Sequence, residues 1–407
     1  MRKKLFYSSR DNSVNFIYSD ARALTIYHIA NTLFMLEKSI KEGSSKKIVS
    51  IDFFMDFTDS EIKKLSEILN NLVLDVLCED VKFIFCKKKF KKKKKVFEFK
   101  NCEAICLFSG GVDSTLGMIE SKKEFPQVLG LYISHGDLGK ITKKVLEIRD
   151  QVLKPSGLEM VKVMAPKMGQ GYSQVRGFLY LLYAGIVSIF TRSNKIIISE
   201  CGTTMYQPKF APLDTITYTT HPLVLKSSKE IIEIILGRKI EVITPFEDFT
   251  KTEMVRLITN DNILSKTHSC ITGRWGINCG RCYACISRMI ASINLNLKLD
   301  YFRSNAFLVK DDNVLNSFVN FCFNFELNRS EIDYWSLYTI TKNRKEDLFL
   351  RSGRDVFLAL KKLKDEGGLD INYEFILDFY TRNKKEVLNK REKELSSPKK
   401  PDFNKLV

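Results

Sequence analysis

The chain has 407 residues, 44% hydrophobic and 28% charged, which is enough for two or three cores. Its 20 glycines and 9 prolines are too few for a fibrous or low-complexity protein, and its hydrophobic share is too high for a disordered one. The longest apolar run, Leu179–Phe190, is shorter than the about 20 residues a membrane helix needs, and no signal peptide is visible, so a cytoplasmic location and no membrane partner are expected. The balance is basic, 65 Lys+Arg against 48 Asp+Glu, a formal charge of +17. That keeps a polyanion partner open.

Residues 1–100 read as a small N-terminal α/β domain. Helix-like stretches at Ala23–Ile40 and Ser60–Leu77, with apolar residues three and four apart, alternate with apolar runs at Lys47–Phe57 and Val81–Cys86. Lys87–Lys95 holds eight lysines in nine positions, between Val81–Cys86 and Val96–Lys100, as the tip of a β-hairpin would. A solvated tip is favoured there over a grip on nucleic acid.

From Cys102 the rhythm changes. Short apolar runs at Glu103–Phe108, Gln127–Ser134, Glu159–Pro166, Lys195–Glu200 and Glu241–Phe246 are separated by helical stretches. That alternation predicts an α/β domain over 101–299 with a doubly wound, parallel, five-stranded sheet. Aromatic-rich helical patterns then predict a helical extension over 300–407, with a loose polar tail from Arg391.

The sharpest local signal is Ser109-Gly110-Gly111-Val112-Asp113-Ser114-Thr115, directly after the first of those strands. Two glycines let backbone approach a phosphate. A strand-to-helix loop aims N–H groups and the positive helix end at an anion. Three hydroxyls add donors, and Asp113 would act through magnesium or orient the loop. Phe108–Leu116 as a whole are the candidate ATP contacts.

Ten cysteines without a signal peptide argue against disulfides. Cys270, Cys279, Cys282 and Cys285 fall within sixteen residues and suit a structural, tetrahedral zinc site. An iron–sulfur cluster is the rival. Arg281 and Arg288 would offset the thiolate charge, and His268 is expected to stand by without ligating.

The loop resembles the SGGxDS signature of the PP-loop ATP-pyrophosphatase superfamily, which binds ATP, adenylates an oxygen and releases pyrophosphate. With the cysteine motif it resembles the 7-cyano-7-deazaguanine synthase (QueC) family over residues 102–295. That context favours zinc. The resemblance implies Arg176 as a motif arginine and Thr244, Pro245, Lys251 and Glu253 as the Thr-Pro…Lys-x-Glu segment. Asp113, Ser114, Arg176 and Lys251 are thereby the candidate catalytic residues, with ATP, magnesium and zinc as cofactors.

The substrate side departs from the family. Gly177 replaces an asparagine, His135 a tyrosine and Glu200 a glycine, and Thr217–Pro222 stands where a Tyr-Pro-Asp-Cys-Arg segment belongs. His135, Glu200 and His221 are the candidate contacts to a 7-deazaguanine. The extended architecture is similar to QueC-like proteins of the bacterial Qat anti-phage system, so the expectation is adenylation of 7-carboxy-7-deazaguanine and transfer to an amine, with other proteins of a defence operon as partners. Rivals are free nitrile formation with ammonia and a non-catalytic nucleotide-binding scaffold. A homodimer is the other use for the extensions.

Overall fold

The computed structural model describes residues 16–43, 48–93, 99–135, 140–165, 173–206, 219–258, 261–270, 277–298, 302–308, 312–327, 342–369 and 371–407. In the N-terminal region a 3₁₀ turn leads into α1 (Ala21–Lys41), followed by β1 (Ile48–Phe53), α2 (Asp59–Leu77) and β2 (Lys82–Lys87). β1 and β2 pair in parallel, so α2 is their crossover. Thr58 and Glu61 form a capping box that starts α2. The lysine run therefore begins inside a strand whose observed neighbour is parallel. Residues 88–93 are irregular, and most of the anticipated second hairpin strand lies outside the described residues.

The second sheet contains β3 (Ala104–Leu107), β4 (Val128–Ser134), β5 (Glu159–Met164), β6 (Lys195–Ile197) and β7 (Glu241–Ile243), in the order β5-β4-β3-β6-β7. Every pairing is parallel. This is the doubly wound sheet the strand rhythm predicts. α3 (Val112–Glu124) follows β3, and α4 (Lys140–Ile148) follows β4 and continues into a π turn. α5 (Arg176–Thr191) crosses from β5 back to β6, beside β3. The winding reverses there, and such a reversal opens a crevice at the strand C-termini.

Alternate strand residues serve opposite faces. Ile105 joins α1, α2, α5 and α7 (Pro222–Leu236) in one apolar cluster. Ala104 and Cys106 join α3 and α4 in another. The run Leu179–Phe190 is thus the buried middle of α5. Among the described residues no helix is long and apolar enough to cross a membrane.

α6 (Gly202–Met205) precedes α7 and β7, and α8 (Lys251–Val255), α9 (Asp261–Lys266) and α10 (Tyr283–Asn294) follow β7. The helical extension is present as α11 (Asn313–Leu327), α12 (Lys342–Asp365) and α13 (Ile371–Leu395), with a core shared with α10. The tail departs from expectation. Leu406 forms an antiparallel bridge with Ile243, Thr244 N–H donates to the Lys405 carbonyl (3.0 Å), and Val407 N–H donates to the Val242 carbonyl (3.0 Å). The open side of β7 offers unpaired backbone groups, and the polar tail satisfies them.

Close approach dictates the glycine at position 117. Ala is normally better than Gly inside a helix by about 1 kcal/mol. A Cβ on Gly117 of α3 would lie 1.8 Å from the Ser199 Oγ. Gly117→Ala should therefore lower the thermal midpoint, by an overpacking cost of about 1–3 kcal/mol. Calorimetry on the purified variant measures the sign.

Candidate active site

The SGGVDS loop lies at the C-terminal end of β3, beside the point where the winding reverses. Gly110 has φ +78°, a left-handed conformation that favours glycine. The loop's own hydroxyls shape it. Ser109 N–H donates to Ser114 Oγ (3.1 Å), and the Ser114 and Thr115 hydroxyls donate to the Gly111 carbonyl (3.2 and 2.8 Å). The Phe108, Val112 and Leu116 side chains are buried in apolar clusters, so these residues can offer the crevice only backbone.

Asp113, in the first turn of α3, is buried. Lys251, the first residue of α8, puts Nζ 2.5 Å from both of its carboxylate oxygens. Cys201 N–H also donates to Asp113 Oδ2 (3.3 Å). Glu200, at the end of the β6 segment, faces the same carboxylate. Burial, and then the Asp113 charge, push the Glu200 carboxyl up to about 7, against Lys251 and Arg176. Burial opposes the charge on Lys251, but Asp113, Cys201 and Glu200 outweigh it and hold the ammonium protonated. Two carboxyls, one ammonium and a phosphate-type loop thus converge from β3, β6 and α8.

Arg176 begins α5, with its guanidinium over the Tyr180 ring at 6.0 Å. Its Nε is buried without a hydrogen-bond partner among the described residues. A buried orphan donor suits an anionic ligand. The turn before it is held from the N-terminal region, where buried Glu37 of α1 accepts from Ser173 Oγ (2.5 Å) and Gln174 N–H (2.6 Å). Gly177 has a packing reason, since a Cβ there would lie 1.4 Å from the Thr219 carbonyl oxygen.

The histidines have structural partners. His135 stacks on Phe34 of α1 at 5.8 Å, and its Nε2 pairs with the Tyr180 hydroxyl at 3.2 Å. His221 caps α7, with Nδ1 accepting from Leu223 N–H (3.2 Å), and burial lowers its pKa to about 4. It is therefore neutral at physiological pH.

The four cysteine Sγ atoms lie within 4.8 Å of one another. Cys279 and Cys285 are 3.9 Å apart, and Cys270 and Cys282 4.0 Å. A tetrahedral zinc with bonds near 2.3 Å needs sulfurs about 3.8 Å apart, so the four fit zinc. Backbone N–H groups of Cys279, Arg281 and Cys282 point at the sulfurs, as thiolates require. Gly280 has φ +82°, and a Cβ on it would lie 1.6 Å from the Ser304 carbonyl oxygen. The arginines also have structural partners. Arg281 pairs with Asp312 at 2.8 Å, and buried Arg288 donates to the Leu264 and Thr267 carbonyls.

Those carbonyls precede a strap the sequence does not advertise. His268 N–H donates to the Gly110 carbonyl (2.9 Å), and Val112 N–H donates to Ser269 Oγ (3.2 Å). The residue after Ser269 is the first thiolate. The knuckle and the phosphate-type loop are thus one connected unit.

The parallel sheet, the glycine loop at its switch point and the four-cysteine knuckle define an α/β domain with an anion-binding type of loop and a metal knuckle. Residues 218–295 match the family model described as queuosine biosynthesis protein QueC. The matched span holds α7, β7, α8, the four cysteines and α10, so over this part the chain is similar to the QueC family; the SGGVDS loop lies outside the match.

Two outcomes follow. Elemental analysis should find one zinc per chain. Cys279→Ser should lose it and lower the thermal midpoint, because metal binding is part of folding; iron, or no metal in a folded sample, contradicts this. Glu200 tests the charge cluster. Its folded pKa is raised, so the folded state holds a proton that the unfolded chain releases. Its contribution to stability therefore falls as pH rises from about 4.5 towards 7. Glu200→Gln should be close to wild type at pH 5 and gain on it by pH 8 in thermal melts.

Proposed function

We propose that the chain adenylates the carboxylate of 7-carboxy-7-deazaguanine and passes the acyl group to an amine. The observation that carries this is the Lys251–Asp113–Glu200 cluster against the SGGVDS loop. The loop's N–H groups and hydroxyls would receive the phosphates, with magnesium entering on the nucleotide. Once ATP binds, Lys251 would be the ammonium that neutralises charge developing at the α-phosphate, and Arg176 the second cation.

A carboxylate oxygen attacks the α-phosphorus, and the bond to the β-phosphate bridging oxygen breaks. Pyrophosphate leaves with that electron pair. The amine then attacks the acyl carbon, AMP leaves with the carbon–oxygen electron pair, and the amine nitrogen gives up a proton. Most of the rate would come from positioning and charge neutralisation.

The acceptor amine is proposed to belong to a partner protein in a bacterial anti-phage system. This rests on the extended architecture and on the substrate-side departures at His135, Gly177, Glu200 and Thr217–Pro222. Ammonia is the competing acceptor: it gives the primary amide, and a second ATP would have to activate the amide oxygen before its loss leaves the free nitrile.

With substrate present, chromatography should show AMP and pyrophosphate from ATP. Lys251→Met should slow their formation about 10²- to 10³-fold while zinc content is kept. ADP and phosphate as products contradict adenylation. Mass spectrometry of the acceptor separates a protein adduct from the nitrile.

A further inference from the structure

Lys251 sits on a helix of only five residues. One isolated helical turn is unstable in water, so something else must hold its backbone. Part of the support is local. Thr250 caps the helix, with its Oγ1 accepting from Glu253 N–H (3.3 Å) and Glu253 Oε2 accepting from Thr250 N–H (3.0 Å).

Met254 and Val255 also pack in an apolar cluster with Leu116 of α3 and Ala291 of α10, and polar support comes from the helical extension. Arg351 of α12 donates to both Glu253 carboxylate oxygens and to the Asp248 carbonyl (2.9 Å). Arg391 of α13 donates to Glu253 Oε1 (2.8 Å), Asp355 Oδ1 (2.7 Å) and Thr250 Oγ1 (3.3 Å). Asp355 of α12 accepts from the Thr250 hydroxyl (2.6 Å).

Arg391 is 2% exposed, as is Asp355. The two guanidinium groups meet the buried carboxylates of Glu253 and Asp355, with the more exposed Asp347 and Glu394 beside them, and their hydrogen bonds compensate the desolvation that an unpaired member would suffer. Burial works against the charge on Glu253, but Arg351 and Arg391 outweigh it and hold the carboxyl below its ordinary value. Both capping-box residues, on either side of Lys251, are thus gripped by α12 and α13.

We infer that Arg351, Asp355 and Arg391 are positioning residues for the nucleotide site. Acting through Thr250 and Glu253, they hold the start of α8 so that the Lys251 ammonium meets Asp113. The catalytic consequence rests on the adenylation proposal, while the positioning itself can be read without turnover.

The test compares Arg351→Met with Arg354→Met. Arg354 pairs with Glu326 (3.5 Å) within the same helical region, so it controls for general destabilisation. Reductive methylation followed by peptide mass spectrometry gives the modification rate of Lys251. In Arg351→Met that rate should rise about tenfold, and AMP formation at saturating ATP should fall about 10- to 100-fold, as misplacement of a catalytic group costs. Zinc content should be retained.

Arg354→Met should leave the Lys251 rate unchanged. Arg391→Met, the more severe change, should repeat the Arg351→Met pattern wherever it folds. A folded Arg351→Met protein whose Lys251 reacts at the wild-type rate overturns the inference. A wild-type protein that forms no AMP with substrate present, yet shows the labelling difference, overturns the adenylation proposal and leaves the positioning intact.

Discussion

The contact between Lys251 and Asp113 organises this protein. An ammonium and a carboxylate removed from water are tolerated only when each stays within reach of the other. Asp113 belongs to a helix that starts at the end of β3, and Lys251 to one that starts after β7. Joining them closes the crevice across the sheet's reversal point and draws Glu200 and Cys201 to the same place. Whatever fixes those two helix starts fixes the site. For α3 this includes the Ser269 hydroxyl beside the thiolate knuckle, and for α8 the two arginines of the helical extension.

The flanking regions are therefore bound into the site. Glu37 of α1 secures the turn that presents Arg176, and Phe34, one helical turn earlier, lies flat against His135. α12 and α13 secure the turn that presents Lys251. Residues 402–407 complete the side of β7 from which that turn departs. Material outside the sheet's own strands and crossovers thus reaches both cationic side chains of the crevice.

Much of this was legible in the amino-acid order because it is local. Ser109–Thr115 and Cys270–Cys285 carry their chemistry within a few residues, and the strand rhythm from Cys102 gives the parallel sheet correctly. What was hidden is long-range. Nothing around Arg391 marks it as a partner of Glu253, since a buried arginine reads like any other in a Lys/Arg-rich helix. The tail looked loose because its residues are polar, and only the open edge of β7 explains their order. His221 also has a structural use that its sequence neighbours only hint at, since a histidine before a proline can cap a helix and its Nδ1 does so here. Glu37 gave no signal, because a single acidic residue on an apolar helix reads as an exposed one.

The distance along the chain between Arg391 and Glu253, 138 residues, sets an order of events. A polypeptide emerges from the ribosome N-terminus first, and domains fold as they appear. The glycine loop, the sheet and the thiolate knuckle can all be in place while α13 is still unsynthesised. During that interval Glu253 lacks Arg391, and the one-turn helix carrying Lys251 lacks part of its anchor. The crevice is thus finished only after α13 emerges, and a nascent chain short of it would hold the phosphate loop without a settled cation opposite it.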